Sequence, residues 1–239
     1  MMSLRRMDDD EPTLAFSPLL RGAVLTLSRA AETPIGLTAT KAFKRDYVHW
    51  ALTHFDWPGR AAEDILAVSK VVNEADFPPL ELIHFLLIHC KLGRHFKGTF
   101  RATKEGVRLA SSPASLFAEL IPLYLFEVDH SAFSRTGEAV FGNWDTWLNV
   151  MNVELEGGKT ESDLYRLFYG ELPDEPFAWR KPYAFGSCVL RPLEWAGLVS
   201  ITSIRDHDGK LDYVVTKTPL WQAALQLETD DMVPKFQRH

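Results

Sequence analysis

A chain of 239 residues, 46% of them hydrophobic and 24% charged, has the makeup of an ordinary globular protein and enough apolar area for a sizeable core, which excludes a disordered or fibrous chain. Its net charge of -6 excludes a surface that is basic throughout, so any contact with nucleic acid has to come from a local patch. Two cysteines are too few for a disulfide scaffold and point to a reducing, cytoplasmic setting, and no run of about 18 uninterrupted apolar residues offers a membrane span.

Residues 1–16 read as a disordered leader: Arg5 and Arg6 are followed by acids at 8–11, not by the apolar run of a signal peptide. Ser17 before Pro18 is a helix start, and the helix should run to about Ala31. Pro34 and Gly36 then force an extended link. A helix capped by Thr40 is expected over 41–54 and stops at Trp57-Pro58-Gly59. Another is expected over 61–74, with Ile65, Val68, Val71 and Val72 turned inward.

The helix 80–92 is apolar almost all round, so most of its circumference must be buried. Residues 94–101 pair with themselves across the turn dipeptide Lys97-Gly98. Thr103 caps the next helix, and Ser112-Pro113 opens one that reaches about Glu127. The polar stretch 128–141 reads as a junction. Helices follow over 143–154 and, capped by Thr160, over 161–169. After a proline-rich loop comes a helix over 187–197, with Pro192 kinking it or marking its first turn. A second ribbon, 198–204 with 211–215, turns around His207, Asp208, Gly209 and Lys210. Thr218-Pro219 starts a last helix, to about Gln226, before an exposed tail.

Two stretches match by role. Each has a helix ending in a step to leucine (Lys91-Leu92; Gly197-Leu198), then a two-stranded ribbon, then a Thr-Lys pair (Thr103-Lys104; Thr216-Lys217) opening a helix. The expected fold is therefore mainly α, with tandem winged-helix-like units and two small antiparallel β-ribbons. The first unit covers 17–127, the second 128–229, and the tail 230–239.

The run 34–38, the helix end Lys91-Leu92, the segment Arg101-Ala-Thr-Lys-Glu-Gly106 and the phrase Leu190-Arg-Pro-Leu-Glu-Trp-Ala-Gly-Leu198 resemble uncharacterised bacterial proteins. Those proteins are similar to the winged-helix region associated with the Ri-plasmid open-reading-frame family. The likeness covers roughly residues 17 to 227, and its motifs are structural. It implies a winged-helix fold and carries over no activity or site.

The first ribbon is the candidate nucleic-acid surface. Lys91, Arg94, Lys97, Arg101, Lys104 and Arg108 face only one acid, Glu105, and such cations bind phosphates regardless of sequence. His95, Phe96 and Phe100 interleave with them as groups that stack on bases or insert in a groove, the alternative being phenylalanines packed inward. Lys41, Lys44 and Arg45 form a secondary contact. The second ribbon balances its charges and suits a structural or protein-binding role. The expected function is a nucleic-acid-binding regulator whose partner is double-stranded DNA. The alternative is a protein-interaction module whose Trp-rich second half docks a partner.

No metal is expected: His84, His89, Cys90 and His95 are spaced five, one and five apart, whereas ligands on one helix face need three or four. Gly157-Gly158-Lys159-Thr160 lacks the earlier glycine and the leading strand of a phosphate loop and reads as a helix stop plus cap. No constellation rises to an active site, so neither catalysis nor a cofactor is expected.

Overall fold

The computed structural model describes residues 3–205, 209 and 211–233. The expected turn residues 206–208 and 210, and tail residues 234–239, lie outside the described residues. Contacts along the chain gather into two units: residues 8–124, and residues 125–239 together with 1–7. Residues 3–16 of the expected leader are ordered. Ser3–Leu4 is a strand, β1, paired antiparallel with Leu225 and Gln226 of its own unit, and Arg5 Nε donates to the Leu225 carbonyl at 2.7 Å. In the other unit, the Asp9 carboxylate accepts from the Ala114 N–H and the Ser112 hydroxyl.

The unit 8–124 is built around α1 (Pro18–Glu32). Ser17 Oγ accepts from Leu20 N, closing the helix start that the Ser-Pro pair signals. Leu19, Leu20, Ala23 and Leu27 are fully or almost fully buried. At full burial, a leucine side chain contributes about 1.5–3 kcal/mol. Strand β2 (Ile35–Gly36) follows, then α2 (Arg45–His54). The expected start of α2 at Lys41 is wrong. Lys41 takes a left-handed φ of 67°, and Leu37 bridges to Phe43, so residues 38–43 fold back as a turn and Thr40 caps nothing.

The helix expected over 61–74 is only α3 (Ala62–Val68). Of its four supposed inward residues, only Val72 is buried; Val68 is 90% exposed. Spacing alone selected a face that has no partner. After Val68 the chain runs on extended and makes one tight turn, Glu74–Asp76, before α4 (Pro78–His89).

Around α4, Leu80, Leu82, Ile83, His84, Leu86 and Leu87 are buried, and Glu81, Phe85 and His89 form the one exposed stripe. Gly22 of α1 lets the two helices approach: a Cβ there would lie 2.5 Å from Ile83 Cδ1. Strands β3 (Gly93–Phe96) and β4 (Thr99–Ala102) make the hairpin, and β2 joins its second strand, giving the order β2-β4-β3. Helices α5 (Lys104–Ala110) and α6 (Pro113–Pro122) return to pack on α1.

The second unit repeats this order. Helix α7 (Trp144–Glu154) leads to β5 (Lys159–Thr160), α8 (Glu161–Tyr169), α9 (Arg180–Phe185) and α10 (Arg191–Ala196). Between α9 and α10 the chain stays helical through a wide turn, in which Arg191 N–H reaches back five residues to the Gly186 carbonyl. That widening accommodates Pro192, which has no N–H and would strike a carbonyl in a regular turn. Strands β6 (Val199–Arg205) and β7 (Leu211–Lys217) form the hairpin, and β5 joins its second strand in the order β5-β7-β6. Helix α11 (Pro219–Ala224) and β8 (Leu225–Gln226) close the unit.

Trp147, Leu148, Phe185, Val189, Leu193 and Trp221 lie in its core. Trp221 Nε1 donates to Asn152 Oδ1 at 2.9 Å, so the largest core ring also satisfies its polar atom. Cys188 is buried, Cys90 is half-buried at the end of α4, and neither forms a disulfide. Among the described residues, no single helix is long and apolar enough to cross a membrane.

Candidate nucleic-acid interface

The β3–β4 hairpin is set by its turn. Lys97 and Gly98 have φ of 47° and 71°, and Thr99 Oγ1 donates to the Phe96 carbonyl at 2.7 Å. Two successive positive φ values match the right-handed twist of the flanking strands. At the base, Gly93 has no room for a side chain: a Cβ would lie 2.1 Å from the Phe100 ring.

At the tip, three predicted cations converge. The Arg101 guanidinium, the Lys97 ammonium and the Arg94 guanidinium lie 5.2, 5.4 and 5.6 Å from the centre of the Phe96 ring. Phe96 itself is 41% exposed. Such contacts are worth about 0.5–1 kcal/mol each at an exposed site.

The remaining predicted residues do not join that cluster. Arg108 is held by a bidentate pair with Glu105, at 2.9 Å and 2.5 Å, which lowers the Glu105 pKa and raises that of Arg108 through the shared hydrogen bonds. Lys104 is exposed in the first turn of α5, and Lys91 is exposed just beyond α4 with a left-handed φ of 57°. Lys44 precedes α2 with its aliphatic stem over Gly36, and Arg45 Nε donates to Asn73 Oδ1 at 3.0 Å. Lys41 is exposed within the 38–43 turn and lines the same cavity as His95.

The aromatic residues divide in a way that strand alternation foreshadows. Phe100 is fully buried, its ring 5.3 Å from that of Phe43 and 5.4 Å from that of His84. It is therefore unavailable to bases, and for this ring the packed-inward alternative holds. His95 turns to His84, with Nε2 to Nε2 at 2.8 Å. Of the two hairpin phenylalanines, Phe96 alone faces solvent.

Below the hairpin lies a polar chain that sequence reasoning missed. Glu74, 4% exposed, accepts from Phe43 N–H through Oε2 at 2.5 Å and bonds His84 Nδ1 through Oε1 at 2.6 Å. His84, 8% exposed, stacks on Phe43 at 4.1 Å and passes the chain on to His95. The one available signal was His84 itself, on an otherwise apolar helix face, where a buried polar ring needs partners. Its partners come from segments ten residues earlier and eleven later, with no local spacing to reveal them. Among the described residues, no group of three or more His, Cys, Asp or Glu is placed to hold a metal ion.

In the second hairpin, two of the cations among the described residues are held by neighbouring groups. Lys217 Nζ bonds the Asn152 carbonyl at 2.7 Å and pairs with Glu156, and Arg205 Nη1 bonds the Gly209 carbonyl at 2.9 Å. Lys159 and Thr160 belong to β5, where Thr160 Oγ1 accepts from Asp163 N, so the glycine-lysine-threonine run stops one helix and caps another.

Comparison with known proteins finds two successive family matches. Residues 15–115 match the Y4jL N-terminal domain, and residues 134–219 match the y4jL C-terminal domain. Over 168 residues the chain is 39% identical to a protein described as "Uncharacterized protein y4jL" of Sinorhizobium fredii (strain NBRC 101917 / NGR234), covering 69% of this chain and 76% of that one. No solved structure matches the chain.

Proposed function

Starting from the fact that the chain belongs to the y4jL family, we propose that it is a tandem winged-helix protein whose first wing, the 93–102 hairpin, binds the phosphate backbone of double-stranded DNA. The observation that carries this reading is the convergence of Arg94, Lys97 and Arg101 on the exposed Phe96 ring at the hairpin tip. The winged-helix assignment draws support from the order helix, short strand, two or more helices, hairpin, helix, which recurs in both units with the same sheet order.

Base reading is no part of the proposal. The exposed stripe of α4 offers Glu81, Phe85 and His89, whereas a recognition helix presents Arg, Lys, Asn or Gln to the major groove. Binding is therefore sequence-independent and dominated by phosphates. The second unit favours a different role. Phe177 and Trp179 are 63% and 56% exposed, with the Arg180 guanidinium 4.9 and 5.9 Å from their ring centres, an arrangement suited to a protein partner. A protein-interaction module with no DNA contact is the rival reading.

A salt series of binding to a short labelled duplex separates them. The expected result is affinity that falls steeply with salt, and a slope reduced by about one unit for each phosphate contact removed in the double variant Lys97→Asn, Arg101→Gln. Asn is chosen at 97 because it tolerates the positive φ there. No affinity at low salt, or an unchanged slope in the variant, would overturn the DNA reading.

A further inference from the structure

A cavity of about 420 Å³ opens in the first unit between the 38–43 turn, the exposed stripe of α4 and strand β3, with Lys41, Glu81, Phe85, Ile88 and His95 among its walls. Pockets of this size accept small organic molecules, and their specificity comes from a few fixed polar groups. Here the fixed group is the end of the Glu74–His84–His95 chain. Glu74 accepts at His84 Nδ1, which sets a neutral His84 in the tautomer that carries its proton there. His84 Nε2 is then an acceptor, and the 2.8 Å contact requires His95 to donate from its own Nε2. His95 Nδ1 is left as an acceptor. With both rings neutral, one buried and one part-buried contact thus set the chemical character of His95 Nδ1.

Burial first, with the Lys41 ammonium adding to it and the Glu74 carboxylate opposing it, lowers the His95 pKa, which keeps its ring neutral and the acceptor available. The Lys41 ammonium is thereby placed within electrostatic reach of the same ring. Phe85 and Ile88 supply an apolar wall, and Glu81 an acid at the exposed edge.

We propose that this cavity binds a small organic acid that also carries an O–H or N–H donor. The carboxylate meets Lys41, the donor gives its hydrogen to His95 Nδ1, and the carbon skeleton covers Phe85 and Ile88. An amino acid and a hydroxy acid share this chemistry. They differ in that an ammonium group also suits Glu81. The ligand bonds a residue that sits between Arg94 and Phe96 in the hairpin, but its binding does not require that the hairpin touch DNA.

The test follows the His95 imidazole resonances of full-length, 15N-histidine-labelled protein through titration with four probes of one size: L-phenylalanine, L-phenyllactate, 3-phenylpropionate and phenethylamine. Saturable shifts are expected with one or both of the first two. Phenylalanine alone identifies an amino-acid site, and phenyllactate alone a hydroxy-acid site. The donor-free acid and the acid-free amine should bind at least about tenfold more weakly. Lys41→Met should weaken the binding acids about tenfold or more while leaving the His84 resonances of the free protein unchanged. His95→Ala, followed through the His84 resonances, should erase the preference for donor-bearing acids. No saturable shift from any probe at about 10 mM, equal binding of all four, or indifference to Lys41→Met would overturn the proposal.

Discussion

Glu161 and Glu194 show how single residues in the second unit acquire chemistry from their surroundings. Burial pushes the Glu161 carboxyl up to about 7, helped by the nearby Asp212 charge and opposed by Arg191. Burial likewise pushes Glu194 up to about 7, again against Arg191. Glu161 fits where it does because Gly186 has no side chain: a Cβ there would stand 2.2 Å from Glu161 Oε1. The native state therefore holds protons that the unfolded chain releases near its ordinary value of 4.5. Stability from these groups is full below that value and is lost as pH rises toward about 7, because the folded state then binds more protons than the unfolded one. Chemical denaturation across that window should show falling stability, and Glu161→Gln with Glu194→Gln should flatten the profile. In the sequence both glutamates look like ordinary helix-surface acids. Nothing within a few positions of either reports the glycine or the opposing strand that encloses it.

At the scale of elements, the clearest feature is a junction used twice. Leu92 N–H bonds the Leu87 carbonyl at 2.9 Å, and Leu198 N–H bonds the Leu193 carbonyl at 2.9 Å. Each helix end has a left-handed residue just before that leucine, Lys91 in one unit and Gly197 in the other. Each leucine carbonyl then receives a threonine: Thr103 N–H at 2.9 Å with its hydroxyl at 3.2 Å, and Thr218 N–H at 3.0 Å with its hydroxyl at 3.2 Å. The helix-to-leucine step was legible in the sequence, but the threonine pairing was not. Thr216 and Lys217 lie in β7, and the residue that plays the part of Thr103 is Thr218. Identical dipeptides misled because strand length, set by cross-strand pairing, shifts the junction by two positions. Since a non-glycine residue in the left-handed region costs about 1–2 kcal/mol, Lys91→Gly should raise stability by about 0.5–1 kcal/mol in chemical denaturation once the looser unfolded chain is allowed for. Gly197→Lys should lower it by at least as much.

On the scale of the whole molecule, the chain's first residues belong to the unit at its other end. Strand β1 pairs with β8, Arg5 N–H bonds the Ala224 carbonyl at 2.7 Å, and the Arg5 guanidinium reaches Asp230. Removing residues 1–7 should speed hydrogen exchange at the amides of 225–229 while leaving the protection of α1 and α4 unchanged. Equal loss in both units would contradict that assignment. The sequence by itself determined the mainly helical character, the caps at Ser17, Thr103 and Thr160, and the turn at Lys97-Gly98, because each depends on hydrogen bonds and backbone preferences within a few residues. Only the tertiary structure decided that Phe100 is core while Phe96 is surface, that Val68 finds no partner, and that Glu74, His84 and His95 form one chain. Those outcomes turn on which distant segment arrives to exclude water, and no local pattern of residues encodes that arrival.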